Sequence, residues 1–195
     1  LPQPFLAVYS GNFARYHEFE TILKAAELSE AKDNGIGFVL VGAGYQKEFL
    51  KLQIQRRALK NIKMLPFVSD AEYGGMLNGS DVCLVTLNPE AVGTCVPSKF
   101  YTQLAAGRPT VAIMPKHAEV ARVLNESGSG LSVHPGDGEG LVSALEQLKA
   151  NPEGLQTMGR RAAEEFNNKY REEIVVEQIY RCLEEAAKPS KIPQV

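Results

Sequence analysis

The amino-acid sequence predicts an α/β protein, a parallel sheet of about six strands with helices packed on both faces. Three observations predict this fold class. Short apolar runs alternate with amphipathic stretches along the 195 residues. The runs are nearly continuous in apolar residues, as strands buried on both faces are. Turn sequences such as Ser10-Gly11-Asn12 and Gly42-Ala43-Gly44 end the runs, and this order of strand and helix favours parallel strands joined by right-handed crossovers.

The apolar runs are predicted to be strands at residues 5–9, 36–41, 62–67, 81–87, 110–114 and 130–133. Apolar side chains at helical spacing predict a helix after each strand, at residues 17–31, 45–59, 69–78, 98–106, 118–125 and 138–150. The third helix begins at Ser69-Asp70-Ala71-Glu72, which matches the capping-box pattern. The charged tail over residues 152–188 is predicted to be rich in helix.

The chain is expected to form one domain. Residues 1–4 are interpreted as the remnant of a linker, residues 5–188 as the domain with its helical tail, and residues 189–195 as a frayed end. Because the chain starts with Leu1-Pro2-Gln3-Pro4 rather than with Met, we expect it to be part of a longer polypeptide.

Composition excludes several classes of function. The 21 basic and 23 acidic residues leave a net charge of −2, which excludes a nucleic-acid binder that works by bulk charge. The sequence has no apolar run of about 18 residues, the length that a membrane-spanning helix requires. Its 3 cysteines lack metal-ligand spacing, so we expect free thiols in a reducing cytoplasm, without disulfides and without a metal.

Ligands of open parallel sheets bind outside the carboxyl ends of the strands, so the loops that follow the strands are candidates for a functional site. The first loop carries Gly11, which lets the backbone approach a ligand, and Arg15, which offers a positive charge. Amides at the start of the following helix are expected to favour an anion. The alternative is an ordinary turn with a solvated Arg15.

The second and third loops offer backbone rather than charge. Gly42 and Gly44 would let a nucleotide pack against bare backbone, although a lone GxG is a weak signal. Pro66 lacks an N–H, so the third strand is expected to leave the ladder early. The backbone groups of Phe67 and Val68 would then be free to pair with the edge of a base. The alternative is a capped helix entrance with Phe67 in the core.

The fourth loop, residues 88–97, leads into a helix that begins at Ser98-Lys99. A lysine at a helix N-terminus opposes the helix dipole at a cost of about 0.3–1 kcal/mol, so Lys99 fits best in front of an anionic ligand. The histidines His17, His117 and His134 are isolated in the sequence, without the spacing of metal ligands, and we expect no site role for them.

An ordered set of segments resembles family-4 retaining glycosyltransferases, in particular the bacterial exopolysaccharide and cell-envelope transferases of that family. The resemblance covers most of the chain, from about residue 5 to about residue 183. The segments that carry it are Tyr9-Ser10-Gly11-Asn12, Val39-Leu40-Val41-Gly42-Ala43-Gly44, Leu65-Pro66-Phe67-Val68, Ser80-Asp81-Val82, Pro97-Ser98-Lys99-Phe100-Tyr101, Ala105-Ala106-Gly107-Arg108-Pro109 and Met158-Gly159-Arg160-Arg161-Ala162.

The resemblance implies one half of a GT-B fold, in which two Rossmann-like domains face each other. This chain would be the C-terminal half, which binds the nucleotide-sugar donor, and the N-terminal half, which binds the acceptor, lies outside it. The resemblance implies Arg15 and Lys99 as catalytic cations at the diphosphate. It assigns to the nucleotide sugar the residues Gly11, Asn12, Gly42, Gly44, Phe67, Val68, Gly93, Thr94, Cys95, Val96, Pro97, Ser98, Lys99 and Thr102.

Two positions depart from the family pattern. The family often has two glutamates separated by seven residues, and the matching positions here are Thr94 and Thr102. Hydroxyls hydrogen-bond a sugar or a ribose more weakly than carboxylates do. The family's Gly-Arg after the first strand appears as Gly11-Asn12, which leaves Arg15 and Lys99 as the expected cations.

The expected function is therefore transfer of a hexose from a UDP-sugar, such as UDP-glucose, to a glycan or lipid-linked acceptor with retention. No metal or other cofactor is expected, and UDP or a UDP-sugar and the missing acceptor domain are the expected partners. Nucleic acid is not expected as a partner, and membrane contact is expected only through the full-length protein. The alternatives are a domain like a UDP-sugar 2-epimerase and a non-catalytic α/β interaction module.

Overall fold

The computed structural model describes residues 4–188. Residues 1–3 of the predicted linker and the predicted frayed end at residues 189–195 lie outside the described residues. The strands are β1 (Phe5–Ser10), β2 (Ile36–Val41), β3 (Ile62–Leu65), β4 (Val82–Thr86), β5 (Thr110–Ile113) and β6 (Gly130–Val133). They form one 6-stranded sheet in the order β3-β2-β1-β4-β5-β6, and each neighbouring pair is parallel. The predicted fold class is confirmed.

The helices are α1 (Glu20–Lys32), α2 (Lys47–Arg56), α3 (Asp70–Asn78), α4 (Lys99–Ala105), α5 (Glu119–Ser127), α6 (Gly138–Lys149), α7 (Pro152–Lys169) and α8 (Glu172–Ala187). A short 3-10 helix at Pro89–Ala91 interrupts the loop after β4, where the sequence predicted only a loop. None of the helices within residues 4–188 is both long enough and apolar enough to span a bilayer.

Two hydrophobic clusters cover the two faces of the sheet. Successive strand residues point to opposite faces, so Leu84 of β4 joins the cluster under α1 and α6, whereas Val85 joins the cluster under α4, α5 and α7. Both side chains have no exposed surface. This two-sided burial explains why the strands read as continuous apolar runs.

Several element ends differ from the prediction for local chemical reasons. Strand β3 ends at Leu65 rather than at residue 67 because Pro66 cannot donate to the ladder. Helix α3 begins as predicted, and the backbone N–H and the hydroxyl of Ser69 both donate to the carboxylate of Glu72, at 3.1 and 2.6 Å. The helical tail is divided into two helices at Tyr170 and Arg171.

Strand order reverses between β1 and β4, which lie side by side although two strands separate them along the chain. At such a switch point the loops leave the sheet in opposite directions and open a crevice at the carboxyl edge. The loop after β1 and the loop between β4 and α4 therefore face each other across this crevice.

Candidate functional site

A cleft of about 320 Å³ lies at this switch point. The segment after β1 forms one wall, and the segment that enters α4 forms the other. Its lining residues are Gly11, Asn12, Tyr16, His17, Cys95, Val96, Pro97, Ser98, Lys99 and Thr102. The structure thus brings together most of the site residues predicted in the first and fourth loops, and it adds Tyr16 and His17 to them.

Lys99 is the half-buried cation of this cleft. Its Nζ lies 3.2 Å from Nε2 of His17 and 4.9 Å from the centroid of the Tyr9 ring. Burial lowers the pKa of Lys99 to about 8, because a low-dielectric environment disfavours the charged form. An anion beside the ammonium would offset that cost.

Lys99 also explains why Gly11 is a glycine. A Cβ at Gly11 would overlap Cε of Lys99. The φ of Gly11 is +142°, a backbone conformation that residues other than glycine rarely adopt. The lysine stem therefore crosses directly over the backbone that follows β1.

Four residues that line the cleft have backbone N–H groups without a hydrogen-bond partner among the described residues. The amides of Asn12, Val96, Ser98 and Lys99 donate no hydrogen bond to another described residue. Lys99 is half-buried and the other three residues are exposed, so these N–H groups are accessible to an oxygen-rich ligand in the cleft.

The start of α1 does not supply such amides, contrary to the expectation for the first loop. Helix α1 begins at Glu20, and the carboxylate of Glu18 accepts the N–H of Thr21 at 3.0 Å. A side chain of the same loop thus occupies the helix end, which removes it as an anion site.

Arg15 does not meet Lys99 in the cleft. Its side chain is exposed, and its guanidinium lies 3.9 Å from the centroid of the Tyr45 ring, an attractive cation–π geometry. The side-chain amide of Asn88 donates to the Arg15 carbonyl at 3.0 Å and holds this backbone segment. In this structure one of the two predicted cations, Lys99, lines the cleft, whereas Arg15 lies outside the residues that line it.

Gly42 and Gly44 support the first loop. A Cβ at Gly42 would overlap the carbonyl oxygen of Gly11, and a Cβ at Gly44 would overlap the side chain of Asn12. The N–H of Phe13 also donates to the carbonyl of Ala43 at 2.8 Å. The lack of a side chain at Gly42 and Gly44 thus makes room for the first loop. The sequence suggested instead that it makes room for a nucleotide.

Phe67 is 58% exposed, which excludes the alternative that it belongs to the core. Val68 beside it is half-buried, and the backbone groups of both residues make no hydrogen bond with another described residue. The carbonyl of Leu65 accepts the N–H of Gly42 at 2.9 Å, so this free stretch lies directly beside the second loop.

The remaining predicted residues lie on a second cleft of about 390 Å³, on the other side of the fourth loop. Gly93 and Thr94 line it, and Cys95, Val96 and Pro97 line both clefts. The hydroxyl of Thr94 donates to the carbonyl of Ala91 at 3.0 Å, which holds it within its own loop.

His17 is the functional candidate that the sequence did not reveal. It is 4% exposed, and it contacts a lysine 82 positions further along the chain. Spacing along the sequence gives no signal for such a contact; the one available signal is its place in the loop after the first strand. Among residues 4–188, no group of three or more His, Cys, Asp or Glu side chains could hold a metal ion.

Comparison with known proteins agrees with this geometry. The family model described as "Glycosyl transferases group 1" matches residues 2–165. The chain belongs to the group 1 glycosyltransferases. The family assignment favours the glycosyltransferase interpretation over the epimerase-like domain and the interaction module.

Two curated relatives of this glycosyltransferase chain are bacterial. It is 30% identical over 187 residues to a probable glycosyltransferase, WbjE, of Pseudomonas aeruginosa, which covers 94% of this chain and 45% of that protein. It is 28% identical over 160 residues to a putative colanic acid biosynthesis glycosyl transferase, WcaI, of Escherichia coli strain K12, which covers 82% of this chain and 39% of that protein. The chain thus spans less than half the length of these relatives.

A solved structure shares the fold of this glycosyltransferase chain. The crystal structure of Anabaena Alr3699/HepE in complex with UDP superposes with a TM-score of 0.77 at 17% identity, over 94% of this chain and 49% of that one. At this identity the likeness concerns the fold, which is the Rossmann-like half of a GT-B enzyme.

Proposed function

We propose that this chain is the donor-binding half of a retaining glycosyltransferase, and that it holds a UDP-sugar such as UDP-glucose along the carboxyl edge of its sheet. The hexose would pass to a glycan or lipid-linked acceptor held by a second domain. The observation that carries the proposal is the order of the groups along that edge, which matches the order of the parts of a nucleotide sugar.

Along the carboxyl edge these groups follow the spatial order of the strands in the sheet. Free backbone at Phe67 and Val68 follows β3, the loop at Gly42 follows β2, Gly11 follows β1, and Lys99 lies beyond β4. Neighbouring strands are about 4.8 Å apart, so three spacings give a track of roughly 14 Å. An extended nucleoside diphosphate would fit it with the base at β3 and the diphosphate near β1 and β4.

The base would bind to the backbone of Phe67 and Val68. Their unpaired N–H and C=O groups offer the donor and the acceptor that the edge of a base requires. The UDP in the HepE complex supports uridine as the base. Bound UDP in that protein also supports a nucleoside diphosphate as the product that this half of the fold retains.

The diphosphate would lie against Lys99 and the free amides of the cleft. Negative charge grows on the departing nucleoside diphosphate as the glycosidic bond breaks, so cations and N–H groups aimed at it stabilise the transition state more than the ground state. We propose that Lys99 fulfils this role without a metal, and that Arg15 joins it when the ligand draws its side chain away from Tyr45.

The sugar would occupy the fourth loop. Gly93, Thr94 and Cys95 lie where the two clefts adjoin, next to the proposed diphosphate. Thr102 also lines the cleft at Lys99 and is proposed to contact the ribose. Hydroxyls at these two threonine positions provide weaker hydrogen bonds than the glutamates of the family pattern.

The acceptor domain would contact the C-terminal helix. Helix α8 has no fully buried residue, and only Ile174 and Val175 at its start are half-buried. Its exposed apolar side chains recur at helical spacing, at Val176, Ile179, Tyr180 and Leu183. Such a stripe normally packs against a partner, and we propose that the partner is the acceptor-binding half of the same enzyme.

Calorimetric titration of the chain with UDP, GDP, ADP and uridine tests the proposal. We expect UDP to bind more tightly than GDP or ADP. Lys99→Met should lower the affinity for UDP about tenfold or more and leave the affinity for uridine unchanged. Lys60→Met is the matched control, because the exposed Lys60 lies before β3 at the opposite edge of the sheet. Absence of nucleotide binding, or equal losses for UDP and uridine in Lys99→Met, would contradict the proposal.

A further inference from the structure

The imidazole of His17 lies between a main-chain oxygen and the Lys99 ammonium. Its Nδ1 is 2.7 Å from the carbonyl oxygen of Thr86, and its Nε2 is 3.2 Å from Nζ of Lys99. The ring is 4% exposed and packs edge-on against Tyr9 and Phe19, with centroids 5.8 and 6.2 Å away. The imidazole therefore has a fixed orientation with both nitrogens engaged.

This geometry fixes the tautomer. The carbonyl oxygen of Thr86 only accepts hydrogen bonds, so Nδ1 carries the hydrogen, and a neutral imidazole then presents a lone pair at Nε2. The ammonium of Lys99 only donates, so its N–H points at that lone pair. A protonated His17 would instead place a second positive charge 3.2 Å from the ammonium.

We propose that His17 is a positioning residue for Lys99, which accepts one N–H of the ammonium through Nε2 and thereby fixes the remaining donors over the phosphate-binding part of the cleft. This inference rests on the proposed function. Without an acceptor at Nε2, the flexible lysine stem would hold its charge less often beside Gly11, and the affinity for the diphosphate would fall while the affinity for the nucleoside would not.

The surroundings of His17 favour the neutral ring. Burial first, and then the charge of Lys99, lower the pKa of His17 to about 4, although the bond to Thr86 opposes this. The titratable groups that face the pair are Tyr9 from β1, Tyr16 from the same loop, and Cys95 from the loop before α4. Glu18 directs its carboxylate to the start of α1.

Three substitutions separate positioning from packing. His17→Asn can keep the bond to Thr86 but has no atom at the Nε2 position, His17→Gln can offer an amide oxygen to Lys99, and His17→Phe keeps only the ring. We expect His17→Asn and His17→Phe to lower the affinity for UDP about tenfold without changing the affinity for uridine. His17→Gln should keep most of the affinity for UDP.

His134→Asn is the matched control, because the exposed His134 also directs Nδ1 to a main-chain oxygen, at 2.8 Å, but lies after β6. If His17 had only a structural role, its substitution would lower the affinities for UDP and for uridine together, and that result would overturn the inference. UDP affinity unchanged in His17→Asn would overturn it as well. Failure of the unsubstituted chain to bind UDP would reject the proposed function itself.

Nitrogen-15 NMR of the imidazole decides the contact without any nucleotide. We expect His17 to carry its hydrogen on Nδ1 at neutral pH, and the Nε2 resonance to move in Lys99→Met. A hydrogen on Nε2, or an Nε2 resonance that has the same frequency in Lys99→Met as in the unsubstituted chain, would overturn the positioning role whatever the chain binds.

Discussion

Gly42 packs directly against the carbonyl oxygen of Gly11, so closely that a Cβ at Gly42 would overlap it. The N–H of Gly11 donates to the carbonyl of Val41 at 2.9 Å, which ties the same two loops together from the other side. The position of the cleft wall at Gly11 therefore depends on a glycine that follows a different strand.

We expect Gly42→Ala to destabilise the chain. The φ of Gly42 is +147°, so alanine would add backbone strain of roughly 1–3 kcal/mol to the overlap with Gly11. Urea unfolding measures the loss, and UDP affinity should fall with it because the cleft wall must move. Gly74→Ala is the control: Gly74 lies in α3 with no atom within 4 Å of its Cβ position, and alanine there should stabilise by about 0.5–1 kcal/mol. Equal stability of Gly42→Ala and the unsubstituted chain would contradict this packing.

The sheet could be predicted from the sequence because each apolar run and each turn is a local signal. The start of α1 could not, because long-range contacts decide it. The side-chain amide of Gln46 donates to the carbonyls of Ala14 and His17, at 2.6 and 2.9 Å, which holds residues 14–17 as a turn, so the helix predicted from residue 17 begins at Glu20. Glu18 then supplies the cap.

The site could be predicted in part for the same reason. Lys99 was found because a lysine at a helix start is unusual locally. Its contact with His17 joins two loops across the switch point, and no local sequence pattern predicts such a contact. Similarly, the glycines at 42 and 44 signal a close approach, but the sequence does not say that the approaching group is the first loop.

UDP affinity should depend on pH through Lys99. Its pKa is lowered to about 8 by burial, and the ammonium is the form that binds the diphosphate. Affinity should therefore be greatest near pH 7, where the terminal phosphate of UDP, with a pKa of about 6, is ionised, and should fall as the pH rises through about 8 to 9. Because the bound anion raises the lysine pKa again, binding at pH 8 should take up protons, which titrations in Hepes and in Tris reveal by their different heats. Lys99→Met should lack both effects, and an affinity constant to about pH 9.5 would contradict the assignment.

Alkylation of cysteines should report occupancy of the cleft. Cys95 lines it, whereas Cys182 is exposed on α8 and Cys83 is buried. Burial raises the pKa of Cys83 to about 11, so it should not react with N-ethylmaleimide. UDP-glucose, which fills the proposed sugar position at Cys95 as well as the diphosphate position, should at ten times its Kd slow the modification of Cys95 about elevenfold and leave Cys182 unaffected, as mass spectrometry would show. Unchanged modification of Cys95 in the presence of bound UDP-glucose would place the donor elsewhere.

The chain by itself should bind the donor but transfer sugar weakly or not at all. The groups that we assign to the nucleotide sugar lie along one edge of one sheet, and in our proposal a second domain would present the acceptor and exclude water from the reacting carbon. We expect calorimetry to show UDP-sugar binding while release of UDP, measured by chromatography, stays near the rate without protein. The same measurement on a polypeptide that joins this chain to the proposed acceptor domain should show transfer that Ile179→Glu on α8 reduces, since a buried unpaired charge disfavours the proposed contact. In the separate chain Ile179→Glu should leave UDP affinity unchanged, because Ile179 is exposed there. Robust transfer by the separate chain would contradict this division of roles.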